Sequence, residues 1–219
     1  MILDLETINK LIDDNTKMIW ICSPNNPTGN NIDLKLIKFL LESFKGLIII
    51  DEAYIDFAAQ PSFINELHNY PNLVILQTFS KAWGLAALRL GMTFASAEII
   101  AVLNKVKPPY NISGGTQKLA LEALQDSDRI NEMVKELVRL RILLEQKLCK
   151  INIVEQIYTS DANFILVRFK DAENVYAYLL SEGIVVRNRA NIILCEECLR
   201  ITVGSSAENE LLLNALLKY

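Results

Sequence analysis

Three short apolar runs, each closed by a cluster of polar residues, constrain this chain more than any other feature. "MIWIC" (18–22) runs into "SPNNPTGN", "GLIII" (46–50) runs into "DEAYIDF", and "NLVILQT" (72–78) runs into Ser80 and Lys81. Runs of this kind suit strands buried on both faces, and the Asn, Pro and Gly residues mark where the chain turns. Between the first two lies "IDLKLIKFLLESF" (32–44), in which Leu34, Ile37, Leu40 and Leu41 recur at helical spacing. "SFINELHNY" reads as a short helix, "RLGMTFAS" (89–96) as a fourth strand, and "AEIIAVLNKV" as a helix that stops before "KPPY". Strands alternating with helices predict an α/β chain with a mostly parallel sheet. Ligands of such sheets sit beyond the carboxyl ends of the strands, where Asn25, Asn26, Asp51, Tyr54, Thr78, Ser80 and Lys81 all fall.

The pattern changes after Pro109. Residues 127–148 carry Ile130, Met133, Val134, Leu137, Leu140, Leu144 and Leu148 on one helix face. A strand-like "NFILVRF", a helix-like "AENVYAYLLSEG", the strands "IVVRN" and "LRITVG" and a final helix "SAENELLLNALLK" follow. The expected organisation is a large domain over residues 1–110 and a linking helix with a small α+β domain over 111–219.

Composition narrows the function classes. The net charge of −4 and the absence of a Lys/Arg block argue against nucleic acid. No uncharged apolar run approaches the roughly 20 residues of a membrane span. "MILDLETINK" lacks a signal-peptide core, and the four cysteines do not suggest a secreted disulfide framework, so a cytoplasmic protein is expected. Cys195 and Cys198 form a single CxxC without a second pair, so they are read as part of a turn between two strands and no metal site is expected. His68, the only histidine, is read as a surface residue. Ser113-Gly114-Gly115 is read as the loop opening a helix, because it lacks the GxGxxG spacing of a phosphate loop.

Several residues suit chemistry at the strand ends. A lysine at the end of a strand, inside a dry cleft, can attack an aldehyde. A carboxylate such as Asp51 needs a cationic partner there, and a protonated pyridine nitrogen supplies one. At ~3 Å and an effective dielectric near 20 that attraction is about 5 kcal/mol before desolvation is subtracted. Arg89, with Thr78 and Ser80, matches the geometry of a phosphate.

"SPNNPTG", then "DEAY", then "TFSK" with Arg89 eight residues past Lys81, resembles the fold-type I pyridoxal-phosphate aminotransferases, and within them the histidinol-phosphate branch. The resemblance spans essentially the whole chain. It implies a three-layer large domain built around a mostly parallel sheet, a small α+β domain, and pyridoxal 5'-phosphate as cofactor. It implies roles as well: Lys81 binds the cofactor aldehyde and shuttles the substrate proton, and Asp51 pairs with the pyridinium nitrogen. Tyr54 and Asn26 bond the phenolic oxygen, while Thr78, Ser80 and Arg89 grip the phosphate. Arg200 in "CLRITVG" and Arg187 in "IVVRNR" would receive the anionic ends of histidinol phosphate and of glutamate or 2-oxoglutarate. The expected reaction is amino-group transfer between these compounds in histidine biosynthesis, with a homodimer for the full-length enzyme. Threonine-phosphate decarboxylases and aromatic aminotransferases share the motifs, and an inactive fragment or interaction module is the non-enzymatic alternative.

The chain also departs from the family. Members begin upstream of its first residue, and the glycine-rich phosphate turn, the ring that stacks on the pyridine and the tyrosine lent by the partner subunit have no counterpart. The expectation is a chain matching roughly the last two-thirds of an aminotransferase, which by itself binds cofactor weakly and transaminates slowly or not at all.

Overall fold

The apolar runs become one four-stranded sheet in the computed structural model, which describes residues 4–219. Strands β1 (Met18–Cys22), β2 (Leu47–Asp51), β3 (Leu73–Thr78) and β4 (Gly91–Ala95) lie in that order. The first three are parallel, and β4 returns antiparallel against β3. Ile48, Ile49 and Ile50 are all buried, so β2 is covered on both faces and reads as a continuous apolar run. β1 stands at the sheet edge, with Met18 and Trp20 exposed.

Four helices belong to this first unit: α1 (Leu5–Leu11), α2 (Leu34–Ser43), α3 (Ala97–Val106) and α4 (Gly114–Leu124). Asp33 caps α2 by accepting the Lys35 N–H at 2.8 Å. Ile37, Leu40 and Leu41 then pack on Ile48, Ile50, Leu73 and Ile75 to form the core. Ser113 caps α4, as the reading of Ser113-Gly114-Gly115 expected. The expected short helix at Ser62 is a single 3-10 turn, Phe63–Glu66, and His68 beyond it is exposed. Helix α1, capped by Asp4, was not expected from the sequence.

Packing groups residues 132–219 with the short segment 26–30 as a second unit. Helix α5 (Ser127–Leu148) enters it, followed by β5 (Val154–Ile157), β6 (Phe164–Phe169), α6 (Ala172–Ser181), β7 (Arg187–Asn188), β8 (Cys198–Thr202) and α7 (Ser206–Lys218). The strands form an antiparallel sheet in the order β5-β6-β8-β7. Ile165, Val167, Phe169, Leu199 and Ile201 line one face and pack on Leu140, Leu144 and Leu148 of α5, Val175 and Leu179 of α6, and Leu212, Leu213 and Leu216 of α7. Met133, placed on the apolar face of α5 by spacing, is 37% exposed, whereas the charged Arg141 is buried.

The expected strand "IVVRN" shrinks to Arg187–Asn188. Its first residues terminate α6 instead. Gly183 takes φ +76, and the Ile184 N–H donates to Leu179 O at 2.8 Å, which closes the helix end. β5, only four residues long, went unread. Cys195 sits in the turn leading into β8 and Cys198 opens that strand, both buried with Leu166 against the partly buried Tyr158. No helix among the described residues is long and apolar enough to cross a membrane.

Candidate active site

In the first unit the predicted residues gather where parallel strands end. Asp51 closes β2 beside Leu76 of β3, so the loop after Asp51 emerges next to the last residues of β3. Asp51 Oδ1 accepts the Ala53 N–H at 3.0 Å, which folds the chain back and brings Tyr54 into the core as a buried side chain. The Lys81 amine lies 5.0 Å from the centroid of the Tyr54 ring, within cation–π reach. The two side chains come from loops of neighbouring strands, so one small molecule can meet both.

Thr78 and Ser80 form the adjoining part of the site. Their hydroxyl oxygens are 2.9 Å apart, and Thr78 Oγ1 also accepts the Ser80 N–H at 3.0 Å. The Ser80 N–H is thus engaged within the turn, and Thr78 Oγ1 also lies 3.2 Å from Leu90 O, so what the turn brings together is a pair of hydroxyl groups. The Lys81 loop is closed by Gly84 N–H to Lys81 O at 3.0 Å and Leu85 N–H to Phe79 O at 3.0 Å, with Phe79 and Trp83 rings 5.3 Å apart. Gly84 adopts φ +67, a conformation open to glycine.

Arg89 ends a 3-10 turn with φ +50, an uncommon backbone for a residue with a side chain. Its neighbour Leu90 is tied to the Thr78–Ser80 turn through Phe79 N–H to Leu90 O at 3.2 Å. The exposed Arg89 guanidinium donates to Ala86 O at 3.0 Å.

One structural residue here escaped the sequence reading. Glu52, 2% exposed, accepts from the Ser62 hydroxyl at 2.5 Å, the Phe63 N–H at 2.8 Å and the Gln77 amide at 2.9 Å. It therefore fastens the Tyr54 loop to β3 one residue before Thr78. The signal was the second acid of "DEAY", placed directly after an apolar strand.

In the second unit, Arg187 and Arg200 face each other across the β7–β8 register. Arg200 stacks over the Phe164 ring at 4.7 Å, and its Nη1 donates to Asn26 Oδ1 at 2.7 Å. Asn26 was expected as an amide donor; its carbonyl oxygen is the atom engaged, held by an arginine 174 positions away. Two guanidiniums on one sheet face repel unless an anion lies between them. Phosphate and carboxylate are the anions whose geometry matches that fork.

The chain matches the family model described as aminotransferase class I and II over residues 1–216. It is 52% identical over 217 residues to the histidinol-phosphate aminotransferase of Cytophaga hutchinsonii, covering 99% of this chain and 62% of the relative. The crystal structure of the histidinol-phosphate aminotransferase from Clostridium acetobutylicum superposes with a TM-score of 0.92 at 31% identity, over 100% of this chain and 68% of that one. The Sinorhizobium meliloti histidinol-phosphate aminotransferase, solved in complex with pyridoxal-5'-phosphate, superposes with a TM-score of 0.85 at 25% identity, over 98% of this chain and 59% of that one. The chain thus spans about three-fifths of the length of the curated relative it matches. The expected α/β architecture and the motif order both stand, and the chain belongs to the class I and II aminotransferases.

Proposed function

We propose that this chain carries the cofactor- and substrate-binding residues of a pyridoxal-phosphate aminotransferase acting between histidinol phosphate and 2-oxoglutarate. The observation that carries the reading is the gathering of Asp51, Tyr54, Thr78, Ser80 and Lys81 at the ends of β2 and β3. Those residues fit the cofactor chemically: an amine for its aldehyde, a carboxylate for its ring nitrogen, a phenol for its ring oxygen, and paired hydroxyls for its phosphate, with Arg89 as a further cation from the same loop. When bound, pyridoxal phosphate supplies an electron sink for the substrate α-carbon.

The chain's own residues do the rest. Lys81 would hold the cofactor's aldehyde and would move the proton at the substrate α-carbon; its amine lies 5.0 Å from the Tyr54 ring centroid. Asp51 would pair with the protonated ring nitrogen; its Oδ2 accepts no hydrogen bond among the described residues, which leaves it able to pair with a cation. Thr78 and Ser80 orient the phosphate, and Asn26 and Tyr54 the ring oxygen. Arg187 and Arg200 receive the anionic end of either substrate, since a guanidinium fork binds carboxylate and phosphate alike.

Borohydride reduction of the chain with excess pyridoxal phosphate, followed by peptide mass spectrometry, tests the binding half. A pyridoxyl mark concentrated on Lys81 is expected, even where affinity is weak. A mark spread evenly over the surface lysines would sink the assignment. Turnover of histidinol phosphate with 2-oxoglutarate, in preference to carbon dioxide release from threonine phosphate, tests the substrate half.

A further inference from the structure

The second unit holds a buried arginine that the chemistry above does not use. Arg141 of α5 is 7% exposed, and its Nη1 donates to Ala162 O at 2.7 Å. Burial pulls its pKa below the usual arginine value, opposed by the Glu145 and Asp161 carboxylates. The Glu145 carboxyl is itself pushed up by burial, and its Oε1 is buried without a hydrogen-bond partner. A charged group is a poor choice for filling a core, because its desolvation is costly and an apolar side chain packs as well. Its use must lie in what it holds.

Arg141 holds the turn between β5 and β6. In that turn Ser160 is buried, donating to Phe164 O at 2.5 Å and accepting the Ala162 N–H at 3.1 Å. The Asp161 N–H donates to Gly29 O at 2.7 Å. Gly29 has φ +83, and a Cβ there would lie 2.4 Å from Ser160 Oγ and 3.2 Å from Ser160 Cα. Segment 26–30 therefore rests directly on the turn, with no room for a side chain between them. The same segment carries Asn26, which bonds Arg200 at 2.7 Å.

We propose that Arg141 is a positioning residue: by fixing the 158–163 turn it seats residues 26–30, and through Asn26 it aims the Arg200 guanidinium. The inference rests on the substrate role assigned to Arg200, while the latch itself is a property of the chain. An arginine suits the task because its long stem reaches the Ala162 carbonyl from α5 and its charge persists beside Glu145 and Asp161.

Hydrogen–deuterium exchange of the chain without added ligand tests the latch. In Arg141→Met, peptides covering 26–30 and 158–163 are expected to exchange at least tenfold faster while β6 and β8 keep their protection. Arg141→Lys, which can still donate to the carbonyl, should recover part of the loss. The Arg200 side-chain N–H signals in 15N NMR, sharpened by the Asn26 bond, should broaden in the methionine variant. Uniform acceleration across the whole second unit, or no acceleration at the turn, would overturn the proposal. If Arg141→Met fails to fold, Gly29→Ala attacks the contact from the other side: the same local acceleration supports the latch, and unchanged exchange at 158–163 refutes it. Titration with 2-oxoglutarate completes the set, with at least tenfold weaker binding expected for Arg141→Met. If the parent chain binds no 2-oxoglutarate, the substrate reading of Arg200 fails while the exchange result still decides the latch.

Discussion

The two units build their candidate sites in opposite ways. The first gathers Tyr54, Ser80 and Lys81 in the loops just past β2 and β3, with Asp51 and Thr78 as the last residues of those strands. The second places Arg187 and Arg200 within strands, on the face opposite the packed core. An exposed loop residue such as Lys81 contributes little to folding, so chemistry can choose it freely. Residues on a sheet face are part of the ladder, and each functional charge there acts on stability as well. Substitutions in the first site should thus separate activity from stability, whereas those in the second should couple them.

The largest expected effect lies in the first unit. Lys81→Ala removes the only nucleophile proposed for the site, and losses of such groups cost at least about a thousandfold in rate. Lys81 is exposed and its amine makes a ring contact without a salt bridge among the described residues, so the urea midpoint should stay unchanged. A large shift in that midpoint would break the separation between loop-end chemistry and stability.

Glu52→Gln probes the boundary of that rule. Glu52 is one residue past Asp51 yet is structural, accepting from Ser62, Phe63 and Gln77. Replacing the carboxylate turns one acceptor into a donor facing other donors. Hydrogen bonds to a buried charge are worth about 1.5–3 kcal/mol, so a loss of about 3 kcal/mol in urea denaturation is expected. Activity should fall only as far as the Tyr54 loop loosens.

The difference between the units also explains what the sequence could reveal. Loop-end residues follow their strands directly, so "DEAY" and "TFSK" could be read as motifs at the ends of apolar runs. The opposition of Arg187 and Arg200 depends on register, which arises only once β7 and β8 pair, and β7 was overestimated because α6 uses Ile184 for its own termination. The grouping of residues 26–30 with the second unit was equally hidden, since it comes from contacts with Ser160, Asp161 and Arg200 far along the chain. Arg141 was invisible for a related reason. Helical spacing marks apolar faces, and a charge at a buried position looks like an interruption of the pattern.

The sheet-face site also predicts a pH dependence of stability. Cys198 lies two residues before Arg200 on the same face of β8, fully buried, and burial pushes its thiol up to about 11 from a usual value of 9.0. The folded state therefore keeps the proton that the unfolded state releases. This contribution to stability is complete below pH 9 and is lost as pH rises toward 11; a shift of this size corresponds to on the order of 2 kcal/mol. Cys198→Ala should flatten the decline in stability over that window. A decline of the same steepness in the variant would place the titrating group elsewhere.

Arg187→Gln gives the smallest effect and the sharpest contrast between the units. Directly opposed like charges on an antiparallel pair are unfavourable by roughly 0.2–1 kcal/mol. Arg200 is already committed to Asn26 and the Phe164 ring, so the repulsion falls on the exposed Arg187. Removing that charge should stabilise the second unit by a few tenths of a kcal/mol up to about 1. Binding should move the other way, because a phosphate or dicarboxylate loses one of its two guanidinium partners. About tenfold weaker binding, roughly 1.4 kcal/mol, is expected for either class of anion. Thermal unfolding and anion titration on the same variant read both quantities. Opposite signs would show that the face holds a repulsive pair for the sake of its ligand. A loss in both would instead make Arg187 a structural member of the sheet and leave Arg200 as the sole anion receptor of this unit.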